Sequence, residues 1–386
     1  MTARFTQDLA AWLPWLTGSA QGRAHQKGSL SREELLAVTR AVRSLSKGFT
    51  RERDLAGTRY FNDVTFLKAY LLYYWPISYI QARLVYARFL PPEFLKRAVV
   101  LDLGSGPGPA ALAALDAGAD RVTAADRNRE AVKIAGKLAA ARGKRLTPVS
   151  WNGTPAGLLA GRYDLVVLSH VVNELYPGHP ARIERRATLL RKVSGLLSAR
   201  GRLVLIEPAL LSTTRELLAL RDRLLEQGFR VCAPCFRQGP CPCLTEPTAT
   251  CHAQFSWEAP AVLKRIAHGA RLGGEHLRFS FLVLRPGHTA GSAAERKGAA
   301  DEKAPVPYRV VSEKMLSKSG RRRYFLCGET GRFTLSAKPD PEAPWTRVFS
   351  SLERYDAVRL TNPEQRAHGL GLTRKSELLR VDATGE

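Results

Sequence analysis

The middle of the chain alternates short apolar runs with segments of helical periodicity. Four of these runs are RAVVLDLG, RVTAADRN, YDLVVLSH and GRLVLIEP, all within residues 96–210. Strands and helices that alternate at this spacing predict a doubly wound parallel α/β sheet of the Rossmann-like kind. Ligands bind such sheets at the carboxyl ends of the strands, so we expect the chemistry to lie in the residues that follow each run.

Residues 1–95 show helical periodicity instead. Ser31 and Glu34 stand three residues apart at the start of SREELLAVTRAVRSLSKGF, as in a capping box. In the next segment, Pro76 predicts a break in the helix after Trp75. Five aromatic residues surround this point: Tyr70, Tyr73, Tyr74, Trp75 and Tyr79. They have the chemistry to stack on bases, but packing between helices is the interpretation we favour.

The rest of the chain predicts an extension of the sheet and a smaller second module. Residues 211–285 contain a helix, a cysteine-rich insertion at 231–252 and an alternating strand, so we assign 96–285 to one domain. Residues 286–305 are rich in Gly, Ala and charge and predict a linker. Short strand-like runs in 306–386 predict a small β-rich basic module with a barrel-like sheet of the oligonucleotide-binding kind.

The charge of the chain narrows the choice of partner. Its 386 residues include 59 Lys and Arg against 35 Asp and Glu, a formal net charge of +24. This excess favours a polyanionic partner, either nucleic acid or an acidic membrane surface. No run approaches the stretch of about 20 uncharged apolar residues that crosses a bilayer, and the N-terminal segment lacks the pattern of a secretory signal. We therefore expect a cytoplasmic protein that is monomeric when free and does not enter membranes.

A glycine-rich run, DLGSGPG, ends the first predicted strand at residues 102–108. Gly104 and Gly106 let the backbone turn sharply and approach a ligand closely. The G-x-G-x-G spacing differs from the G-x-G-x-x-G of dinucleotide-binding loops. With an acid two residues ahead, the run is similar to motif I of class I S-adenosylmethionine-dependent methyltransferases.

That similarity implies roles for two carboxylates. Asp102 can help to hold the ammonium group of the cofactor, directly or through water. Asp126 ends the second strand 22 residues after Gly104, where an acid can accept both ribose hydroxyls. The candidate cofactor-binding residues are Asp102, Gly104, Ser105, Gly106, Gly108, Asp126, Ser169 and His170. The alternative is a degenerate Rossmann fold that binds nothing.

The fourth strand ends in SHVVNELY, at the point where enzymes of this superfamily face the methyl group. The Asn/Asp-Pro-Pro-aromatic motif of amino-directed enzymes is absent here, and so is a Pro-Cys nucleophile. His170 can act as a base or can order the loop. We therefore expect cofactor binding without recognisable methyl-acceptor chemistry.

Six cysteines form the second candidate site. Cys232, Cys235, Cys241, Cys243 and Cys251 lie within 20 residues, and Cys327 stands apart. In a reducing compartment such a cluster indicates metal binding before disulfides. Only Cys232 and Cys235 have the spacing of a zinc knuckle, whereas iron–sulfur clusters accept looser spacing. Spacing leaves three alternatives: an iron–sulfur cluster, a zinc ion or buried thiols without a metal.

Several of these features occur together in one known family. YLLYYWPISY runs into LDLGSGPG and SHVVNEL, an APCFRQGPC block follows, and Cys327 stands in a basic C-terminal module. Over residues 35–335 the chain resembles the methyltransferase-like proteins of the mitochondrial small ribosomal subunit and their bacterial relatives. The resemblance implies a 4Fe–4S cluster bound by Cys235, Cys241, Cys251 and Cys327. The chain departs from the family pattern at Phe236–Arg237, where Pro-His is expected, and Cys232 and Cys243 are additional.

The resemblance also implies a function. Proteins of this family join the small ribosomal subunit during assembly, so we expect an assembly factor that binds small-subunit rRNA and S-adenosylmethionine. An active rRNA methyltransferase is the alternative, with His170, Asn173 and Glu174 as acceptor-side residues. A cluster that joins Cys327 to the cysteine-rich insertion would also clip the C-terminal module onto the sheet domain.

Overall fold

A computed structural model describes residues 2–21, 30–50, 63–151, 162–287, 307–367 and 369–382. N-terminal helices pack on one face of a mixed sheet, and the C-terminal residues form a second sheet. The expected α/β fold class, with a helical N-terminal region and a β-rich C-terminal module, is confirmed. The predicted linker lies outside the described residues from 288 onward, and the domain boundaries drawn from the sequence stay predictions.

The N-terminal region is helical in its described residues. The α-helices there are α1 Thr2–Ala10, α2 Leu13–Gln21, α3 Arg32–Thr50, α4 Val64–Ala69 and α5 Trp75–Phe89. The predicted capping box is present before α3. The Ser31 N–H donates to Glu34 Oε2 (2.9 Å), and the Glu34 N–H donates to Ser31 Oγ (3.1 Å). The bond from the Glu34 N–H satisfies a backbone donor that the first turn of a helix leaves without a partner. The bond from the Ser31 N–H satisfies the backbone donor of the capping residue itself.

The predicted break at Pro76 is wrong. A π-helical turn, Tyr70–Tyr74, joins α4 to α5, and the Trp75 N–H donates to the Tyr70 carbonyl five residues back. Pro76 then lies in the first turn of α5, where helices tolerate a residue without an N–H. The chain therefore stays helical from Val64 to Phe89.

The central sheet is mixed. Its strands are β1 Val99–Leu103, β2 Arg121–Asp126, β3 Thr147–Ser150, β4 Tyr163–Ser169, β5 Leu197–Pro208, β6 Phe229–Ala233, β7 Ala253–Ser256 and β8 His276–Pro286. The order is β3-β2-β1-β4-β5-β8-β6, with β7 paired to β8. Strands β1 to β5 are parallel, and β8 is antiparallel to its neighbours. This is the Rossmann-like class I methyltransferase arrangement, and the order reverses between β1 and β4, where open sheets bind ligands.

Helices cover both faces of this sheet. They are α6 Pro109–Asp116, α7 Arg129–Ala141, α8 Arg182–Ser194, α9 Leu211–Glu226 and α10 Ala261–Ala270. Val100 and Val167 belong to a core shared with α5 and α6, whereas Leu101 and Val166 belong to a second core shared with α8 and α9. Because both faces are buried, these strands have continuous apolar runs. Across the described residues, no helix combines the length and the apolar character that a membrane crossing needs.

The C-terminal module is built on a second sheet. Its strands are β9 Pro307–Val310, β10 Met315–Leu316, β11 Arg322–Gly328, β12 Gly331–Ala337, β13 Ala357–Thr361, β14 Glu364–Arg366, β15 Gly369–Gly371 and β16 Glu377–Val381, and it carries α11 Thr346–Ser350. The order is β14-β15-β12-β11-β9-β13-β16, with β10 paired to β11. Within the described part of the chain no ladder joins β14 to β16. The sheet is therefore open there, and the expected barrel-like closure is not formed.

Candidate cofactor crevice and cysteine pocket

The glycine loop after β1 is held tightly against its neighbours. The Gly104 N–H donates to the Ala125 carbonyl on β2 (2.7 Å), and Gly104 has a φ of 76°. A Cβ at Gly104 would lie 2.5 Å from a methyl carbon of Val171. A Cβ at Gly108, whose φ is 77°, would lie 2.8 Å from the Cβ of Ala135. Both positions therefore require glycine for conformation and for space.

Asp126 is oriented by backbone donors of two loops. Its Oδ2 accepts from the Gly106 N–H and its Oδ1 from the Asn128 N–H, each at 2.8 Å. Each carboxylate oxygen can still accept a further hydrogen bond. The side chain is half-buried at the end of β2, so the residue predicted to bind ribose lies beside the glycine loop with spare acceptor capacity.

Two buried oxygens at this edge of the sheet lack hydrogen-bond partners among the described residues. Asp102 is 1% exposed; its Oδ2 accepts from the Ala111 N–H (2.8 Å), but its Oδ1 has no partner. The Ser169 Oγ at the end of β4 has none either. Burial, with a smaller contribution from the charge of Asp126, raises the pKa of Asp102 to about 7. Such orphaned atoms are rare, and they fit a site in which ligand groups complete the bonding.

The N-terminal helices hold the same loop from the other side. The Trp75 Nε1–H donates to the Pro107 carbonyl (3.0 Å), and the Tyr86 hydroxyl donates to the Ala110 carbonyl (3.3 Å). Trp75 also stacks on Tyr79, with ring centroids 5.4 Å apart. Because Trp75 and Tyr79 are fully buried, the packing interpretation is correct for these two aromatics. The contact with the glycine loop was missed, since nothing local in the sequence connects the two segments.

The His170 side chain is fixed by a hydrogen bond and is neutral at pH 7. The Nε2 of its ring lies 2.8 Å from Gln81 Oε1 on α5, and its backbone N–H donates to the Ile206 carbonyl (2.7 Å). The residue adopts a φ of 60°. Burial lowers the pKa of His170 to about 4. A group with this pKa carries little proton affinity at neutral pH, which favours the loop-ordering interpretation over a catalytic base.

Glu207 and Arg186 anchor the loop after β4, and neither was predicted from the sequence. The buried Glu207 accepts from the Val172 N–H (2.8 Å) and from Asn173 Nδ2 (2.7 Å). Burial raises the pKa of Glu207 to about 8. Arg186, 2% exposed, donates to the carbonyls of Asn173 (3.1 Å) and Leu175 (3.0 Å). An acid directly after the apolar strand GRLVLI was the available signal for Glu207.

The second site is a pocket between the two sheets. The empty space in this pocket, together with the open solvent at its mouth, is about 540 Å³. The cysteines that line it are Cys235, Cys241, Cys243, Cys251 and Cys327. Cys232 is not among them and packs against the central core. The structure therefore brings the four cysteines assigned by resemblance to one place, together with Cys243. All six cysteines belong to the described residues, and none of them is in a disulfide.

The thiols in this pocket influence one another. Burial raises the pKa of Cys241 and that of Cys251 to about 12, and the charge of Cys235 adds to both shifts. Burial also raises the pKa of Cys327, with further contributions from Cys235, Cys251 and Cys241. Several thiolates in so small a space repel one another, so they would all ionise only beside compensating positive charge.

Two buried arginines supply part of that charge. Arg221 is 1% exposed; burial lowers its pKa, but the nearby Cys235, Asp222 and Cys241 outweigh this and raise it. Arg309 is 2% exposed, and burial lowers the pKa of its guanidinium to about 10. Because Arg309 comes from β9 and Arg221 from α9, both domains contribute a cation to the pocket.

One face of α9 holds the cysteine-rich loop. Arg215 donates to the carbonyls of Glu246 (2.7 Å) and Leu244 (3.1 Å). Farther along the helix, Asp222 Oδ2 accepts from the Cys241 N–H (2.9 Å) and Arg221 donates to the Gly239 carbonyl (2.9 Å). Hydrogen bonds from α9 to the backbone therefore position the cysteine-rich loop, independently of its thiols.

The C-terminal module meets this loop through several contacts besides Cys327. Arg309 Nε donates to the Pro234 carbonyl of the loop (2.8 Å), while its Nη1 donates to the Tyr355 carbonyl within the C-terminal module (2.9 Å). The Tyr355 hydroxyl lies 3.3 Å from Cys251 Sγ. The expected cluster would therefore be one attachment of the C-terminal module among several.

The described residues contain no group of three or more His, Cys, Asp or Glu side chains arranged to hold a single metal ion. The predicted ligand set is thus brought to one pocket without the close tetrahedral contact that one zinc ion requires.

Most of the chain matches the sequence model of a known protein family. The sequence model of the family described as Mitochondrial small ribosomal subunit Rsm22 matches residues 66–337 of the 386. The chain belongs to this family. The match covers the π-helical turn, the crevice and the strand that carries Cys327, so the crevice and all six cysteines of this Rsm22-family protein lie within it.

Curated relatives match a shorter part of the Rsm22-family chain. A ribosomal protein L11 methyltransferase from Trichlorobacter lovleyi is 33% identical over 117 residues, which are 30% of this chain and 37% of the relative. One from Pelobacter propionicus is 36% identical over 106 residues, or 27% and 34% of the two chains. The chain therefore spans little more than a third of the length of these relatives.

Solved structures are more distant. A ribosomal protein L11 methylase from Lactobacillus delbrueckii subsp. bulgaricus is 18% identical with a TM-score of 0.35, and the match covers 55% of this chain and 79% of that one. Magnesium protoporphyrin IX methyltransferase from Synechocystis PCC 6803 is 17% identical with a TM-score of 0.36, over 67% and 100% of the two chains.

Proposed function

We propose that this Rsm22-family chain is an assembly factor of the small ribosomal subunit. In this proposal it binds S-adenosylmethionine in the crevice between β1 and β4, carries a 4Fe–4S cluster in the cysteine pocket and binds small-subunit rRNA through its excess positive charge. One observation carries the proposal: Cys235, Cys241 and Cys251 share a pocket with Cys327, which comes from the other sheet. The family description, which names the mitochondrial small ribosomal subunit, supports the assignment of the partner.

The donor set favours an iron–sulfur cluster over zinc. A zinc ion binds four thiolates at about 2.3 Å, which brings all of them together around one atom. The described thiols do not form such a group. A 4Fe–4S cluster takes one cysteine on each iron and tolerates a remote ligand, so its ligands stand farther apart. When bound, the cluster would supply positive charge to the thiolates of Cys235, Cys241, Cys251 and Cys327.

The crevice has groups that fit S-adenosylmethionine. The orphaned Asp102 Oδ1 suits the ammonium group of the cofactor, and Asp126 has free acceptor capacity for ribose hydroxyls. The curated relatives are methyltransferases, which supports the same ligand. When bound, this cofactor supplies an electrophilic methyl group, and the chain's own residues would orient it.

The acceptor side of the crevice favours binding over turnover. His170 is paired with Gln81 and has a lowered pKa, while the Asn173 amide donates to Glu207. Two of the three candidate acceptor-side residues are therefore engaged in holding the loop. For this reason we favour the assembly factor over the active rRNA methyltransferase.

Ser169 allows a sharp test of cofactor binding. Since its Oγ has no partner among the described residues, Ser169→Ala removes no hydrogen bond that the structure shows in the free protein. We expect about a 5- to 10-fold loss of S-adenosylmethionine affinity by calorimetry, without loss of thermal stability. Ser194→Ala, on α8, is the matched control. An unchanged affinity would remove Ser169 from the site.

Methyl transfer separates the two candidate functions. The protein is incubated with labelled S-adenosylmethionine and rRNA from a strain that lacks it. An assembly factor would co-sediment with small-subunit particles and transfer no label, whereas one labelled nucleotide per rRNA would establish the alternative. We also propose that the chain is monomeric when free and works in the cytoplasm, where its thiols would stay reduced.

A further inference from the structure

A basic β-hairpin forms part of the C-terminal sheet. It comprises residues 313–323, in which β10 pairs with the start of β11, with Met315 opposite Arg323 and Leu316 opposite Arg322. Its sequence, EKMLSKSGRRR, holds five cations and one carboxylate. We call this segment the basic hairpin.

The five cations of the basic hairpin have no salt-bridge partner among the described residues. They are Lys314, Lys318, Arg321, Arg322 and Arg323. Elsewhere on the same module, Arg366, Arg374 and Arg380 each contact a carboxylate. The hairpin therefore concentrates positive charge that no acid among the described residues neutralises through a salt bridge.

The turn of the hairpin is ordered by its own hydrogen bonds. The Ser317 N–H donates to the Arg321 carbonyl (2.9 Å), and the Gly320 N–H donates to the Ser317 carbonyl (3.0 Å). The Arg321 N–H donates to Ser317 Oγ (3.1 Å). Gly320 adopts a φ of 75°, which closes the turn. The charges are thus displayed on a fixed support, which reduces the entropy lost on binding.

We propose that the basic hairpin is an RNA-binding element that contacts the phosphates of an rRNA helix. This inference rests on the proposed function, because it names the surface that would meet rRNA. A cluster of five cations matches a phosphate backbone, and lysine and arginine contacts of this kind dominate nucleic-acid affinity. Leu316, 68% exposed, is the large apolar side chain of the hairpin surface. One such residue adds little membrane affinity. Because the hairpin surface offers many cations and little apolar area, it suits RNA better than a lipid surface.

The test compares two triple variants of the full-length chain. The hairpin variant is Lys318→Ala, Arg321→Ala and Arg323→Ala. The control variant is Arg121→Ala, Lys137→Ala and Arg145→Ala, which removes three exposed cations from the central domain. Fluorescence anisotropy with 16S rRNA transcribed in vitro measures affinity over a series of salt concentrations, and circular dichroism checks that each variant is folded.

We expect the hairpin variant to bind the rRNA about 10- to 100-fold more weakly, and its salt slope to fall by about 2 to 3 because three phosphate contacts are lost. The control variant should lose much less. Equal losses in the two variants, or an unchanged hairpin variant, would overturn the inference while leaving rRNA binding intact. If the unmodified protein does not bind, the proposed function itself fails. A hairpin variant that loses binding only to phosphatidylglycerol vesicles would assign the surface to membranes and overturn the proposal.

Discussion

The cofactor crevice and the cysteine pocket are built in different ways. The crevice is assembled from loops that follow neighbouring strands of one sheet, and backbone N–H groups orient its main carboxylate, Asp126. The pocket takes Cys327 from one sheet and Cys235 from the loop beside the other, with buried arginines between them. The crevice therefore depends on local backbone shape, whereas the pocket depends on how two domains are held together.

Arg309→Met tests the pocket side of this comparison and has the largest expected effect. The substitution leaves the carbonyls of Pro234 and Tyr355 without their buried donor. We expect the free energy of unfolding to fall by about 3 to 5 kcal/mol, measured by chemical denaturation. Arg347→Met, at an exposed position on α11, is the control. A loss below about 1 kcal/mol would mean that these two buried hydrogen bonds of Arg309 contribute little to stability.

Gly104→Ala tests the crevice side. Its Cβ would lie 2.5 Å from Val171, and its φ is positive. Gly143→Ala shares the positive φ but meets nothing within 4 Å. We expect Gly143→Ala to lower stability by about 1 kcal/mol and Gly104→Ala by about 2 to 4 kcal/mol. Adding Val171→Ala should recover part of the difference. Equal losses in the two single variants would show that crowding at the loop is unimportant.

The pH dependence of stability sharpens the contrast through Glu207. Burial raises its pKa to about 8 in the folded protein, above the value of about 4.3 in an unfolded chain. The stabilisation from its neutral form is complete below the unfolded pKa and is lost as the pH rises through about 8. Between pH 6 and 9 we expect a loss of about 2 to 3 kcal/mol that Glu207→Gln removes. The control, Glu246→Gln, changes an exposed residue and should leave the pH dependence of stability unchanged. If Glu207→Gln also left it unchanged, the Glu207 carboxyl would be ionised over this whole pH range, which contradicts the prediction.

Local patterns predicted the crevice better than the pocket. The spacing of Gly104, Gly106 and Asp126 identified the loops at the strand ends, because each loop is encoded by contiguous residues. The contacts of Trp75 with Pro107 and of Glu207 with Val172 join distant segments, and no local signal specifies them.

The pocket and the second sheet show the limits of spacing. The spacing of the cysteines left three alternatives open, and only the resemblance to a family selected Cys327. The strand-like runs of the C-terminal module were visible, but alternation does not specify which edges pair. The prediction of a helical break at Pro76 was wrong because a helix tolerates proline in its first turn. The sequence pattern did not show that α5 begins at this point.

Metal analysis of anaerobically purified protein tests the central claim most directly. Iron, acid-labile sulfide and zinc are measured for the unmodified chain, Cys327→Ser and Cys232→Ser. We predict about four irons and four sulfides per chain, lost in Cys327→Ser and kept in Cys232→Ser, because Cys327 lines the pocket and Cys232 does not. One zinc without sulfide, or a full iron content in Cys327→Ser, would contradict a cluster shared between the two sheets.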